Sequence, residues 1–172
     1  LGGWLADNYL GQRLSIILGG LLMAAGQFTL GIPHDYIPGQ EVTFFYAGLA
    51  LLIAGNGLFK PNISTMVGDL YEEGDHRRDG AFTIFYMGIN LGAAFAPLVV
   101  GTIAEKFEWQ YGFIAAGVGM LISILIQVTL SRKYLGDIGI EPAAKRSKAQ
   151  SAGKKEPLTK IEFDRIKVIF IM

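Results

Sequence analysis

Cysteine is missing from all 172 residues, which rules out disulfides and thiolate metal sites. Histidine is nearly missing too: His34 and His76 both sit in loop-like stretches, read as solvated, so neither serves as an intramembrane proton relay. Charge is missing from whole stretches of the chain. A soluble globule spreads its charged residues over its surface, whereas here they cluster between uncharged stretches of about 20 residues, the length of a membrane span. Those stretches hold no paired Asp and no His/Glu metal set, which argues against an intramembrane enzyme. The opening residues L-G-G-W have neither the basic n-region nor the apolar h-region of a cleavable leader.

What is present fits a multi-pass membrane protein. Half of the residues are hydrophobic, mean hydropathy is +0.39, and glycine is frequent at 23 residues. Four spans are predicted, at about 14–32, 42–68, 80–104 and 109–131, all helical. The run 1–6 reads as the end of an earlier span, and V-I-F-I-M as the start of a later one. With a first residue that is not Met, the chain is expected to be a fragment. Residues 1–131 would form a partial N-terminal bundle and 132–160 a basic linker. Residues 161–172 would open a further helix, either a seventh span or an extra linker helix.

Lys and Arg set the orientation. The loops 7–13, 69–79 and 132–167 carry thirteen of the fifteen, while the opposite loops, 33–41 and 105–108, carry Lys106 alone. The first set is therefore expected to be cytoplasmic. Tyr36, Trp109 and Tyr111 then fall near the outer interface, where aromatic belts lie. The basic run A-A-K-R-S-K-A-Q-S-A-G-K-K reads as a solvated linker with some attraction to anionic lipid. It lacks interleaved aromatics, so no nucleic-acid partner is expected.

Within the span 42–68 the one charge is Lys60, in G-N-G-L-F-K-P-N-I-S. An ammonium at that depth needs a protein interior, a partner or a water-filled cavity. At ~1.5 Å of rise per residue, Lys60 lies roughly 13 Å from the cytoplasmic end of its span and Asn90 roughly 15 Å from that of the next. Both are near the midplane, and Tyr86 is one turn from Asn90 on the same helix face. Midplane polar groups beside helix-breaking residues suit the substrate site of a secondary transporter. Asn offers a donor and an acceptor, and Lys a charge that answers to a nearby proton. Taken singly, Asn90 also fits an interhelical hydrogen bond and Tyr86 ordinary packing. The G-x-G-x-x-K run is not a phosphate loop, because Pro61 follows the lysine and the run lies inside a span.

A second constellation is G-G-W-L-A-D-N-Y-L-G-Q-R, with Gly3, Asp7, Gly11 and Arg13 in a cytoplasmic loop. Glycine there allows a tight turn, and Asp7 and Arg13 can bond to neighbouring helix ends. Gly88 and Gly92 are expected to allow close helix contact or sliding.

These residues resemble a known family. The Gly3, Asp7, Gly11, Arg13 loop is similar to the loop motif between the second and third helices of the major facilitator superfamily. Its longer Asp-to-Gly spacing is that of the proton-coupled oligopeptide transporters. F-T-I-F-Y-M-G-I-N-L-G resembles that family's fifth-helix motif, and G-N-G-L-F-K-P-N-I-S its fourth. Ser15 and Ala93-Ala94 depart from the usual pattern, away from the expected site. The resemblance implies the end of helix 2 through helix 6 of a larger symporter that imports di- and tripeptides with protons by alternating access. It implies Lys60, Asn90 and Tyr86 as substrate-binding residues, Lys60 also in proton coupling, and Gly3, Asp7, Gly11 and Arg13 as a cytoplasmic gate. The expected partners are peptide, protons, the lipid bilayer of a bacterial inner membrane and the rest of the same transporter. No resident cofactor or metal is implied. Two other readings stay open: the same fold carrying another small solute such as nitrate, and a non-transporting membrane scaffold.

Overall fold

The computed structural model describes residues 1–36, 38–72 and 74–145. The rest of the expected linker, 146–160, and the expected further helix, 161–172, lie outside the described residues. All regular structure among the described residues is helical. Helix α1 (Gly2–Leu5) runs into a wide π-type turn, Ala6–Leu10. Then come α2 (Gln12–Leu30), α3 (Glu41–Gly68) and α4 (Arg77–Ala96). A second π-type turn, Pro97–Gly101, joins α4 to α5 (Thr102–Lys106), and α6 is Trp109–Leu135. Pro97 has no N–H for the carbonyl of Ala93, and the widened turn absorbs that loss without ending the pass. Four passes are long and apolar enough to cross a membrane: Gln12–Leu30, Glu41–Gly68, Arg77–Lys106 and Trp109–Leu135.

The helices run further than the uncharged stretches. Helix α6 carries Arg132 and Lys133 in its last turn, where cations suit the exposed carbonyls. Helix α4 starts at Arg77 and has Asp79 in its first turn, the favourable sign for that end.

The packed part is α2 against α3 and α6. Between α2 and α3 the contact is backbone to backbone. A Cβ on Gly19 would lie 2.8 Å from the carbonyl oxygen of Gly55, and one on Gly26 would lie 2.9 Å from that of Gly48. Each glycine pair is seven residues apart on its own helix, so the seam repeats every two turns. In a bilayer, where lipid is as apolar as leucine, such close approach is how helices attract one another. On the α6 side, Gly20 of α2 receives the side chain of Ile124, and Gly117 of α6 receives the ring of Phe28.

Gly88 and Gly92, expected to allow close helix contact or sliding, meet no neighbour among the described residues. No atom lies within 4 Å of a Cβ built on either one among the described residues. They sit on α4, which has no buried residue. Close contact belongs instead to Gly19, Gly26, Gly48 and Gly55. Of the loop's glycines, Gly3 is helical and Gly11 makes the turn, with a φ of +77° that glycine adopts without penalty.

Candidate functional site

Helix α4 presents an open hollow of about 580 Å³, lined by Thr83, Tyr86, Met87, Asn90 and Leu91. These residues recur at the 3–4 spacing of one helix face. The Tyr86 ring is held in place by its neighbours: it stacks with Phe82 at 6.4 Å and tilts against Phe85 at 5.7 Å, which leaves it 55% exposed. Thr83 turns its hydroxyl back to the carbonyl of Asp79, 2.9 Å away. Asn90 is exposed, so its amide, donor and acceptor together, faces the open side. Met87 and Leu91 give the hollow an apolar wall.

Lys60 does not line this hollow. It is exposed on α3, and its ammonium carries no ion pair among the described residues, where the salt bridge is Arg77–Asp75. The hollow therefore joins Tyr86 and Asn90 on one helix face, and Lys60 is not among its lining residues.

The helix around Lys60 is unusual for a reason visible in the chemistry. Pro61 removes the N–H that would have bonded to the Gly57 carbonyl. Helix α1 packs at that point: a Cβ on Gly2 would overlap the Gly57 carbonyl oxygen, and one on Gly3 would touch Pro61 Cβ at 3.9 Å. Asn62, 2% exposed, holds the join by donating from Nδ2 to the Leu58 carbonyl at 2.6 Å and to the Gly2 carbonyl at 3.4 Å. Ser64 and Thr65 return their hydroxyls to the carbonyls of Lys60 and Pro61. Asn62 is a structural residue that the sequence reading passed over. Its signal was its place directly after Pro61, where backbone bonding is disturbed.

In the N-terminal motif, Asp7 is exposed in the π-type turn and its side chain makes no hydrogen bond among the described residues, whereas Arg13, in the first turn of α2, is 8% exposed. The Arg13 guanidinium donates from Nη2 to the Gly136 carbonyl at 2.6 Å, just past the end of α6. Its neighbour Gln12 donates from Nε2 to Asp69 Oδ2 at 2.9 Å, at the end of α3. Three of the loops rich in Lys and Arg thus meet at one end of the bundle. The opposite loops share the other end: Pro33, Asp35, Phe45, Phe107, Glu108 and Trp109 line one cavity of about 780 Å³ there. This pairing of loop ends is the one the charge count requires.

The chain is similar to known transporters in sequence and in fold. The family model described as "POT family" matches residues 13–142. An uncharacterized transporter of Bacillus subtilis is 42% identical over 153 residues, covering 89% of this chain and 30% of its own length. The peptide transporter YePEPT of Yersinia enterocolitica is 38% identical over 156 residues, covering 88% of this chain and 30% of its own. A di-/tripeptide transporter of Lactococcus lactis is 39% identical, covering 83% and 28%. Among solved structures, a peptide transporter POT in complex with alafosfalin superimposes with a TM-score of 0.76 at 41% identity, over 99% of this chain and 31% of that one. A POT family transporter in complex with 5-aminolevulinic acid gives 0.75 at 32% identity, over 98% and 31%. The chain thus spans about 30% of the length of the curated relatives it matches. These relatives are transporters rather than enzymes, the fold is that of the POT structures, and the chain belongs to the POT family.

Proposed function

We infer that this chain is part of a symporter that imports di- and tripeptides together with protons, by alternating access, in a bacterial inner membrane. The observation that carries this reading is the Tyr86–Asn90 hollow. It places a ring hydroxyl and a free amide side by side, near the middle of a span that has no buried residue. A peptide backbone presents alternating N–H and C=O groups, and an asparagine amide matches either one. Met87 and Leu91 supply apolar contact for peptide side chains.

Lys60, a charge at similar depth on another helix, is assigned to the peptide carboxylate and to coupling with the proton. A proton moving inward down the membrane potential supplies about 2.3 kcal/mol per 100 mV. Gly3, Asp7, Gly11 and Arg13 are assigned to the cytoplasmic side, where the two bundles close. The coupling ion is the proton, and no resident cofactor is invoked.

The test uses the full-length parent in proteoliposomes with a labelled dipeptide, with and without an imposed inward proton gradient. Gradient-stimulated uptake that is abolished in Lys60→Ala, and weakened through KM in Asn90→Ala, is the expected result. Correctly oriented, folded protein that takes up no di- or tripeptide would overturn the peptide assignment.

A further inference from the structure

Residues 136–142 follow α6 and were expected to belong to a solvated linker, yet Gly139 and Pro142 are buried. The reason lies at the start of α2. A helix leaves its first N–H groups without partners, and a capping side chain normally takes one of them. Helix α2 is preceded by Gly11, which has no side chain to do so. The Gly139 carbonyl does it instead, accepting the Arg13 N–H at 2.9 Å. The opposite end of the exchange is equally specific. The Gly136 carbonyl just past α6 accepts Arg13 Nη2 at 2.6 Å, so a side chain of α2 caps α6 while the segment after α6 caps α2.

The fit is close on both sides. A Cβ on Gly11 would collide with the Ile140 carbonyl oxygen, and one on Gly139 would lie 3.2 Å from Gln12 Oε1 and 3.4 Å from Arg13 Cγ. Both glycines have φ of +77°, a conformation that other residues resist. Gln12 then extends the join to α3 through Asp69. Two consecutive residues, Gln12 and Arg13, thus hold three helix ends.

We propose that residues 136–142 are a strap that locks the basic ends of α2, α3 and α6 into one body by reciprocal capping with Arg13. The segment that follows α6 is thereby anchored at α2, and a pull along it is borne by the three-helix unit rather than by the last turn of α6. Beside the gate role proposed above, Arg13 is a positioning residue inside this bundle, and this second role does not depend on which solute is carried.

Hydrogen exchange of the full-length parent in lipid nanodiscs tests this, read on peptides that cover 11–15, 66–72 and 134–142. Arg13→Ala is expected to speed exchange in all three together, by about tenfold or more, as the loss of a charge-assisted bond requires. Gly139→Val perturbs the strap without removing the buried charge, and it is expected to give the same three-segment pattern. It keeps the proposal testable if Arg13→Ala does not fold. Arg13→Lys, which keeps a donor, should fall between the parent and Arg13→Ala. Faster exchange confined to 134–142, or no change anywhere in variants that elute like the parent, would overturn the strap.

Discussion

Gly19 and Gly55 are where the α2–α3 seam is most exposed to a single methyl group. A Cβ on Gly19 would lie 2.8 Å from both the Gly55 oxygen and the Phe59 nitrogen, against 3.4 Å for ordinary contact. Both obstacles are backbone and cannot swing aside, so the helices must part by about 0.6 Å over this turn, and overpacking of this kind costs about 1–3 kcal/mol. Alanine regains about 1 kcal/mol over glycine through helix propensity, which conceals part of the loss. Gly119→Ala removes that ambiguity: Gly119 has open space around it on α6, so it reports propensity alone. The difference between Gly19→Ala and Gly119→Ala should then be about 1–3 kcal/mol of destabilisation, in SDS-driven unfolding of the full-length parent followed by circular dichroism. A Cβ on Gly55 meets the same gap from the other side, 2.6 Å from the Gly19 oxygen. The double variant should therefore cost less than the two singles added, because one separation of the helices makes room for both methyls. Equal stability for Gly19→Ala and Gly119→Ala, or strict additivity at Gly19 and Gly55, would refute the seam.

Asn62→Leu removes the donor that joins α3 to Gly2, and the loss should be about 1–3 kcal/mol in the same unfolding assay, because the freed carbonyls lie in a buried contact. Tyr86→Phe keeps the ring contacts with Phe82 and Phe85, so stability should hold while peptide KM rises; an unchanged KM would remove the hydroxyl from the site. At the start of α4, hydrogen bonds from the Arg77 side chain and backbone N–H, in that order, hold the Asp75 carboxyl below its ordinary value. A folded-state pKa lowered in this way gives stability that is full above the ordinary carboxylate range and is lost as pH falls through the lowered value. Amide protection in the first turn of α4, taken relative to the intrinsic exchange rate at each pH, should accordingly fall only in acid below that range, and Asp75→Asn should remove this fall; its persistence in the variant would place the titrating group elsewhere.

The spans were legible in the sequence because their cause is one-dimensional: length, apolar content and the placement of charge are properties of the string. The shared ends of the loops were legible for the same reason, and Gln12–Asp69 and Arg13–Gly136 now show that sharing in atoms. The α4 face was legible because Tyr86 and Asn90 are four residues apart, and a helix turns that spacing into adjacency. The glycine seam was not. Twenty-three glycines offer many possible pairs, and which pairs meet depends on the rotation of one helix against another, which no single segment encodes. The strap was hidden differently: 136–142, G-D-I-G-I-E-P, has the glycines and proline of any loop, and its burial at Gly139 comes from a first turn of α2 that lacks a capping side chain.

Packing and chemistry are divided between helices in this chain. Helices α2 and α3 bury glycine against backbone, α6 packs on α2 through Ile124 and Gly117, and the ends of α2, α3 and α6 are joined by Gln12 and Arg13, which makes the three the fixed element. Helix α4 carries the candidate site and has no buried residue among those described, so its face is free to meet solute and other helices. A substrate site that must open to each side in turn needs this combination, since a lining helix locked by a glycine seam could not change its neighbours. Gly88 and Gly92, with open space where a side chain would stand among the described residues, then favour a contact that forms and breaks over one that is permanent. Gly92→Leu should consequently leave the α2–α3–α6 unit intact in hydrogen exchange while slowing gradient-driven uptake. A loss of protection in α2 and α3 would show instead that α4 and the fixed element are one.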